Sequence, residues 1–243
     1  MIEIGEVDGI ATLTLSHGPV NAMDLELLTA LPAALDEVAA APAIVLTGAG
    51  RSFCAGVDLK RIVTGGPDYV RSFMPALSTA LLAVFEHPKP VVAAVNGHAL
   101  AGGCILAAAC DQRLMCGGTI GVTELAAGVP FPAAALEILR HVAGPATDRL
   151  VLTAERLRPE EATAVGLVDK VVEPEALRDR AIGEARALGA APAEVYALAK
   201  RQLRAPALAR IHETREVDDP EVLRIWSSDA THSFLREYLA SLG

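Results

Sequence analysis

Aromatic side chains make up only 4% of the 243 residues, with a single tryptophan. That scarcity leaves no platform of rings on which unpaired bases could stack. Positive charge is also short: 21 Lys and Arg stand against 30 Asp and Glu, giving a formal net charge of −9 and a pI near 5.2. Without a global basic field, no nucleic-acid partner is expected, and an anionic ligand must rely on local Lys, Arg or backbone N–H groups. The four cysteines, Cys54, Cys104, Cys110 and Cys116, form no C-x-x-C pair. Neither a metal site nor a disulfide framework is therefore expected, and the thiols read as reduced and packed in a cytoplasmic protein. The opening MIEIGEVDG has no basic n-region and no apolar h-region, so no secretory signal is expected. P-loop, complete G-x-G-x-x-G fingerprint, internal repeat and low-complexity tract are all missing, which removes the common nucleotide-phosphate sites.

What the chain has in abundance is small apolar side chains. Hydrophobic residues reach 52% and charged ones 21%, the composition of a globular protein long enough for one sizeable core. The longest uncharged run, VVAAVNGHALAGGCILAAAC from Val91 to Cys110, has the length of a membrane span. Asn96, Gly97 and His98 interrupt its middle, however, and Gly102-Gly103 follow. A buried strand over Val91–Val95, a turn at Asn96-Gly97 and a small-residue helix over Gly102–Ala109 explain the pattern without a membrane partner.

Elsewhere, Ile2–Val7 and Ile10–Leu15 flank Asp8-Gly9, the preferred two-residue hairpin turn. Asp24 is a suitable N-cap for a helix presenting Leu25, Leu28, Leu31, Leu35 and Val38. Ala43–Thr47 reads as a strand. A soft loop is expected over Thr64–Tyr69 (TGGPDY), then a helix to about Glu86. Another strand is expected near Arg113–Cys116. Pro159–Val165 reads as a helix with Gly166 just beyond it, and Leu167–Val172 as a strand. From Glu175 onward only helices are expected, with breaks near Pro192, Pro206 and Pro220. The division is a core of residues 1–190 and a C-terminal helical oligomerisation region of residues 191–243.

Two glycine-bearing turns follow buried strands: Cys54-Ala55-Gly56-Val57-Asp58 and Ala101-Gly102-Gly103-Cys104. The first N–H groups of a helix have no partner within it, and glycine lets a ligand approach that backbone. Two such corners side by side would make a paired-donor pocket for an oxyanion. Glycines in these places also permit tight helix–strand packing, and spacing alone leaves both roles open.

Taken together, FCAGVDLK, PVVAAVNGHALAGGC, the pair Cys110-Asp111 and ERLRPEEATAVGLVDKVV resemble the crotonase (enoyl-CoA hydratase/isomerase) family over nearly the whole chain. The resemblance implies an α/β fold, a ββα superhelix followed by a C-terminal helical region. It implies acyl-CoA thioesters as substrates, with coenzyme A entering as part of the substrate and no other cofactor. It also implies a homotrimer or dimer of trimers. Carried over by motif, the two oxyanion donors are the N–H groups of Val57 and Gly102. Ala55, Asp58, Leu59 and Lys60 line the adenine and pantetheine path, although Lys60 read alone is equally a solvated helix cation. Of the two glutamates usual in the family's hydratases, one falls here on Ile105 and the other on Glu124. Ile105 and Phe131 would supply the apolar wall that raises the Glu124 pKa. His98, Cys54, Cys104, Asp111 and His17 read as structural.

A lone glutamate can shift a double bond by taking a proton from C2 and returning it at C4. LAGGCIL and GVTE also resemble, in part, the corresponding stretches of Δ3,Δ2-enoyl-CoA isomerases. Isomerisation is thus the expected activity. Hydration using Glu124 alone, or acyl-CoA binding with weak catalysis, are the alternatives.

Overall fold

Residues 1–241 are described by a computed structural model. Asp8 and Gly9 both adopt positive φ (52° and 80°), and the hairpin they close pairs β1 (Ile2–Val7) with β2 (Ile10–Leu15) antiparallel, Val7 opposite Ile10. Every other pairing in this sheet is parallel: β2, β3 (Ile44–Gly48), β5 (Val91–Val95), β7 (Gln112–Met115) and β9 (Lys170–Val171) follow one another in that order. A second parallel sheet holds β4 (Ser52–Cys54), β6 (His98–Leu100) and β8 (Ile120–Gly121). Each strand of the large sheet from β3 to β7 therefore hands the chain to a strand of the small one. From the small sheet the chain turns into α2 (Leu59–Phe85) or α3 (Gly102–Ala109), or, after a longer turn, α4 (Ala133–Ala143). This is the ββα superhelix.

The central strands are apolar on both faces because both faces are covered. Val45, Val92, Ala94 and Leu114 meet Leu177, Ala181, Ile182 and Ala185 of α7 (Leu177–Gly189), while Ile44, Leu46, Ala93 and Val95 face the main core. Asp24 caps α1 (Leu25–Glu37), its carboxylate accepting the Leu27 N–H at 2.9 Å. The buried stripe of α1 includes Leu27 rather than Leu25. Asp111 ties three elements together: it accepts the Val91 N–H (2.7 Å) and pairs with Lys200 (2.7 Å) and Arg204 (2.8 Å).

Three expectations need correction. Thr64–Tyr69 is not an open loop. The helix breaks at Gly66 alone (φ 65°, ψ −164°) and restarts at Pro67, whose fixed φ suits a first helical position. Likewise Pro206 and Pro220 do not end helices: α8 runs from Ala193 to Trp226 through both, and the chain turns at Ser227-Ser228 before α9 (Asp229–Ser241). An internal proline costs a helix about 3 kcal/mol; here burial of Ala207, Ile211, Val222 and Trp226 along α8 outweighs it. Finally, the strand expected over Leu167–Val172 shrinks to Lys170–Val171, because the N–H groups of Gly166, Leu167 and Val168 still donate to the last turn of α6 (Pro159–Ala164). The stretch holding α4 and α5 (Thr147–Thr153) carried no sequence expectation. Among the described residues no helix is long and apolar enough to cross a membrane.

Candidate active site

Because β4, β6 and β8 are neighbours in one parallel sheet, the turns that leave them emerge side by side. The first carries Ala55-Gly56-Val57. Met23 forms a parallel bridge with Val57: the Met23 N–H donates to Gly56 O (2.7 Å) and the Asp58 N–H to Met23 O (2.8 Å). Successive N–H groups of an extended segment alternate in direction, so the Val57 N–H points away from Met23.

The second turn carries Ala101-Gly102-Gly103. Ala101 takes φ 50° and ψ −126°, a conformation that costs a residue with a β-carbon about 1–3 kcal/mol, and its N–H is held by Gly121 O at 2.8 Å. Gly102 is the first residue of α3, so its N–H lacks an intrahelical acceptor. Among the described residues neither the Val57 nor the Gly102 N–H donates to another group of the chain.

The two corners touch. A β-carbon added to Gly56 would lie 3.2 Å from the Gly102 N, and one added to Gly102 would lie 3.8 Å from both Gly56 Cα and Val57 Cγ2. The adjacent glycine has the packing role instead: a β-carbon on Gly103 would overlap the Cys54 carbonyl.

Beyond β8, the third turn carries Glu124, which is buried with 9% of its surface exposed. Glu124 lies in a turn rather than at a helix start, and its carbonyl accepts the N–H groups of Ala127 and Val129, both at 3.0 Å. One carboxyl oxygen, Oε2, is buried and has no hydrogen-bond partner. Burial pushes the Glu124 pKa up from 4.5 to about 8, opposed only by nearby backbone N–H groups.

A cavity of about 500 Å³ opens over these turns. Ala55, Val57, Asp58, Leu59, Lys60 and Glu124 all line it. Three residues expected there do not. Gly102 is buried, and its corner is represented in the lining by Leu100 and Ala101. Ile105 is fully buried in the core behind α3, one turn past the donor glycine, and Phe131 is half-buried outside the lining. The apolar wall comes instead from residues that the sequence reading did not place there: Ala127 and Val129 of the Glu124 turn, and Trp226, Tyr238 and Leu239 of the C-terminal helices. Trp226 is fixed by its indole N–H on Pro130 O (2.9 Å). Trp226 and Leu239, from the C-terminal helical region, thus line this chain's own cavity. Arg156, within the ERLRPEEA stretch but given no site role by it, also lines the cavity.

The remaining polar groups have structural partners. His98 bonds Thr119 (3.0 Å) and His17 bonds Asp24 (2.6 Å). Burial pushes the Cys54 and Cys110 thiols up to about 12 and raises Cys104 likewise, so none is a thiolate nucleophile at neutral pH. Among the described residues no cluster of His, Cys, Asp and Glu could hold a metal ion.

This geometry has counterparts. The sequence profile of the enoyl-CoA hydratase/isomerase family matches residues 5–238. The chain belongs to that family. It is 28% identical over 242 residues to human mitochondrial enoyl-CoA delta isomerase 1, covering 96% of this chain and 80% of that one. A putative enoyl-CoA hydratase of Thermus thermophilus is 37% identical over 69% of this chain and 68% of its own length. Among solved structures, human mitochondrial Δ3-Δ2-enoyl-CoA isomerase superposes with a TM-score of 0.93 at 27% identity, covering 99% of this chain and 97% of the other. The crotonase-type fold and an enzymatic role follow from family membership, and acyl-CoA thioesters are the substrates on which the family acts.

Proposed function

We propose that this family member is an enoyl-CoA isomerase that converts 3-enoyl-CoA into the conjugated 2-enoyl-CoA. The supporting observation is the single buried acid at the cavity, Glu124 with its unpartnered Oε2, set against Ile105 at the position of the second hydratase glutamate. The thioester oxygen accepts the N–H groups of Val57 and Gly102. The ionised carboxylate of Glu124 removes a proton from C2, and the electron pair delocalises over C2 to C4 and the thioester oxygen as a dienolate. Glu124, now protonated, delivers the proton to C4, leaving the double bond between C2 and C3. No water enters, and the base is restored. An oxyanion held by preorganised amides in a dry pocket is worth about 10²–10³ in rate per donor. The shared proton needs a carboxyl group able to act as both base and acid near neutrality, which the raised Glu124 pKa supplies.

In this reading Lys60, exposed at the start of α2 and lining the cavity, would meet a CoA phosphate. Self-association as a trimer or dimer of trimers belongs to the same reading. Val195, Leu198 and Leu203 share one side of α8 and are exposed in the single chain, Leu203 by 71%, which supports an apolar contact between copies.

The experiment is a paired assay of 3-hexenoyl-CoA isomerisation and crotonyl-CoA hydration, each repeated with Glu124→Gln. Isomerisation that exceeds hydration and collapses in the variant is expected. Hydration at an equal rate would make the chain a single-glutamate hydratase, the activity its Thermus thermophilus relative is named for. Tight hexanoyl-CoA binding without turnover would make it a binding protein.

A further inference from the structure

The cavity has a direction. Across the small sheet the turns follow the order β4, β6, β8, carrying Val57 and Lys60, then Gly102, then Glu124. Beyond β8 comes one more extended stretch, because Leu157 pairs antiparallel with Ile120 through hydrogen bonds of 2.8 and 2.9 Å. Arg156 sits on that stretch. It therefore flanks the cavity at the side opposite Lys60, past the base. Its backbone is held tightly there, since a β-carbon on Gly121 would overlap Glu155 O and stand 3.3 Å from Arg156 Cα.

Arg156 is also exceptional among its basic neighbours. Arg149 pairs with Glu155 (3.1 Å) and Arg158 with Glu161 (2.9 Å), whereas among the described residues no carboxylate lies within ion-pair distance of Arg156. The guanidinium shares the cavity lining with the base, and no hydrogen bond or ion pair joins the two among the described residues. The same cavity is lined by Ala127, Val129, Trp226 and Tyr238, side chains suited to a methylene chain.

We infer that Arg156 recognises an anionic group at the far end of the acyl chain, so that the preferred substrates are thioesters of dicarboxylic acids. This rests on the acyl-CoA reading of the cavity and adds the substrate class. An uncharged acyl chain would leave the cation unpaired at the mouth, whereas an ω-carboxylate meets the planar, two-pronged donor set that guanidinium offers.

The test compares two saturated thioesters of equal carbon count, hexanoyl-CoA and adipoyl-CoA, titrated calorimetrically into the full-length protein. The wild type is expected to bind adipoyl-CoA about fivefold more tightly, the size of a solvent-accessible ion pair, with the preference shrinking as salt is added. In Arg156→Gln the ratio of the two dissociation constants should fall to about one through lost adipoyl-CoA affinity, and Arg156→Lys should restore part of it. Using the ratio within each variant removes any effect of the substitution on folding. Equal weakening of both thioesters in Arg156→Gln would overturn the inference by making Arg156 a CoA-phosphate contact. So would a wild type that binds hexanoyl-CoA and isomerises 3-hexenoyl-CoA yet shows no preference, and that result would leave the proposed reaction intact. Binding of neither thioester would overturn both.

Discussion

Gly56 and Gly102 meet so closely that a β-carbon on the first would stand 3.2 Å from the backbone nitrogen of the second. Gly56 also has φ 88°, a backbone region that strains any residue with a β-carbon. Gly56→Ala is therefore expected to push the two corners apart. Its β-carbon would also stand 2.7 Å from Leu100 O, so the variant should lose about 1–3 kcal/mol of stability, while kcat for isomerisation of the folded fraction falls by about 10²-fold or more. Circular dichroism melts beside steady-state kinetics check this. A fully active, correctly folded variant would mean that the contact has no part in the chemistry.

Gly103→Ala separates the two roles of the glycine pair. Its β-carbon would overlap the Cys54 carbonyl, which is backbone and cannot swing aside. Stability is expected to fall by about 1–3 kcal/mol, read as a lower urea midpoint.

Burial shapes the Glu124 pH dependence in both rate and stability. Ionised Glu124 is the base, so kcat/KM for the free enzyme should rise with pH and level off above about 8. Stability runs the other way. The folded state holds this proton more tightly than the unfolded chain, so the Glu124 contribution is full below about 4.5 and is lost as pH rises to about 8. Glu124→Gln should lower isomerisation by about 10²–10⁴-fold and raise stability at about pH 8.5 relative to the wild type. Its Tm gain over wild type should shrink towards pH 5.

Removing Asp111 should be costly without touching the cavity. Its carboxylate pairs two buried cations, Lys200 and Arg204, and also accepts the Val91 N–H. Arg204 additionally lies over the Phe85 ring, 4.2 Å from its centre. Asp111→Ala leaves both cations buried with one counter-charge gone, a loss of about 3–5 kcal/mol. Thermal melts should show the drop, and Lys200→Met in the same background should recover part of it.

The parts of this structure legible in the sequence are those with strong local chemistry. Asp8-Gly9 closes its hairpin because that dipeptide accepts positive φ, and Gly102–Ala109 is helical where its small side chains must pack under a strand. The small sheet was invisible: β4 and β6 have three residues each and β8 two, too few to show alternation, yet these strands bring the turns of Val57, Gly102 and Glu124 side by side. Proline misled in α8 because its local penalty is visible in sequence while the tertiary burial that outweighs it is not. Ile105 and Phe131 do not reach the wall, whereas Trp226, Tyr238 and Leu239 do so by folding back from about a hundred residues away. Only the chain path through α8 and α9 could reveal them.

The most direct test is the infrared carbonyl stretch of hexanoyl-CoA labelled with ¹³C at the thioester carbon, measured free and bound to the protein. Two convergent N–H donors polarise the carbonyl, so the band of the bound ligand should move to lower frequency, and the shift should shrink in Gly56→Ala. A bound thioester whose carbonyl band stays at its solution position would contradict the pairing of Val57 and Gly102 on one oxygen.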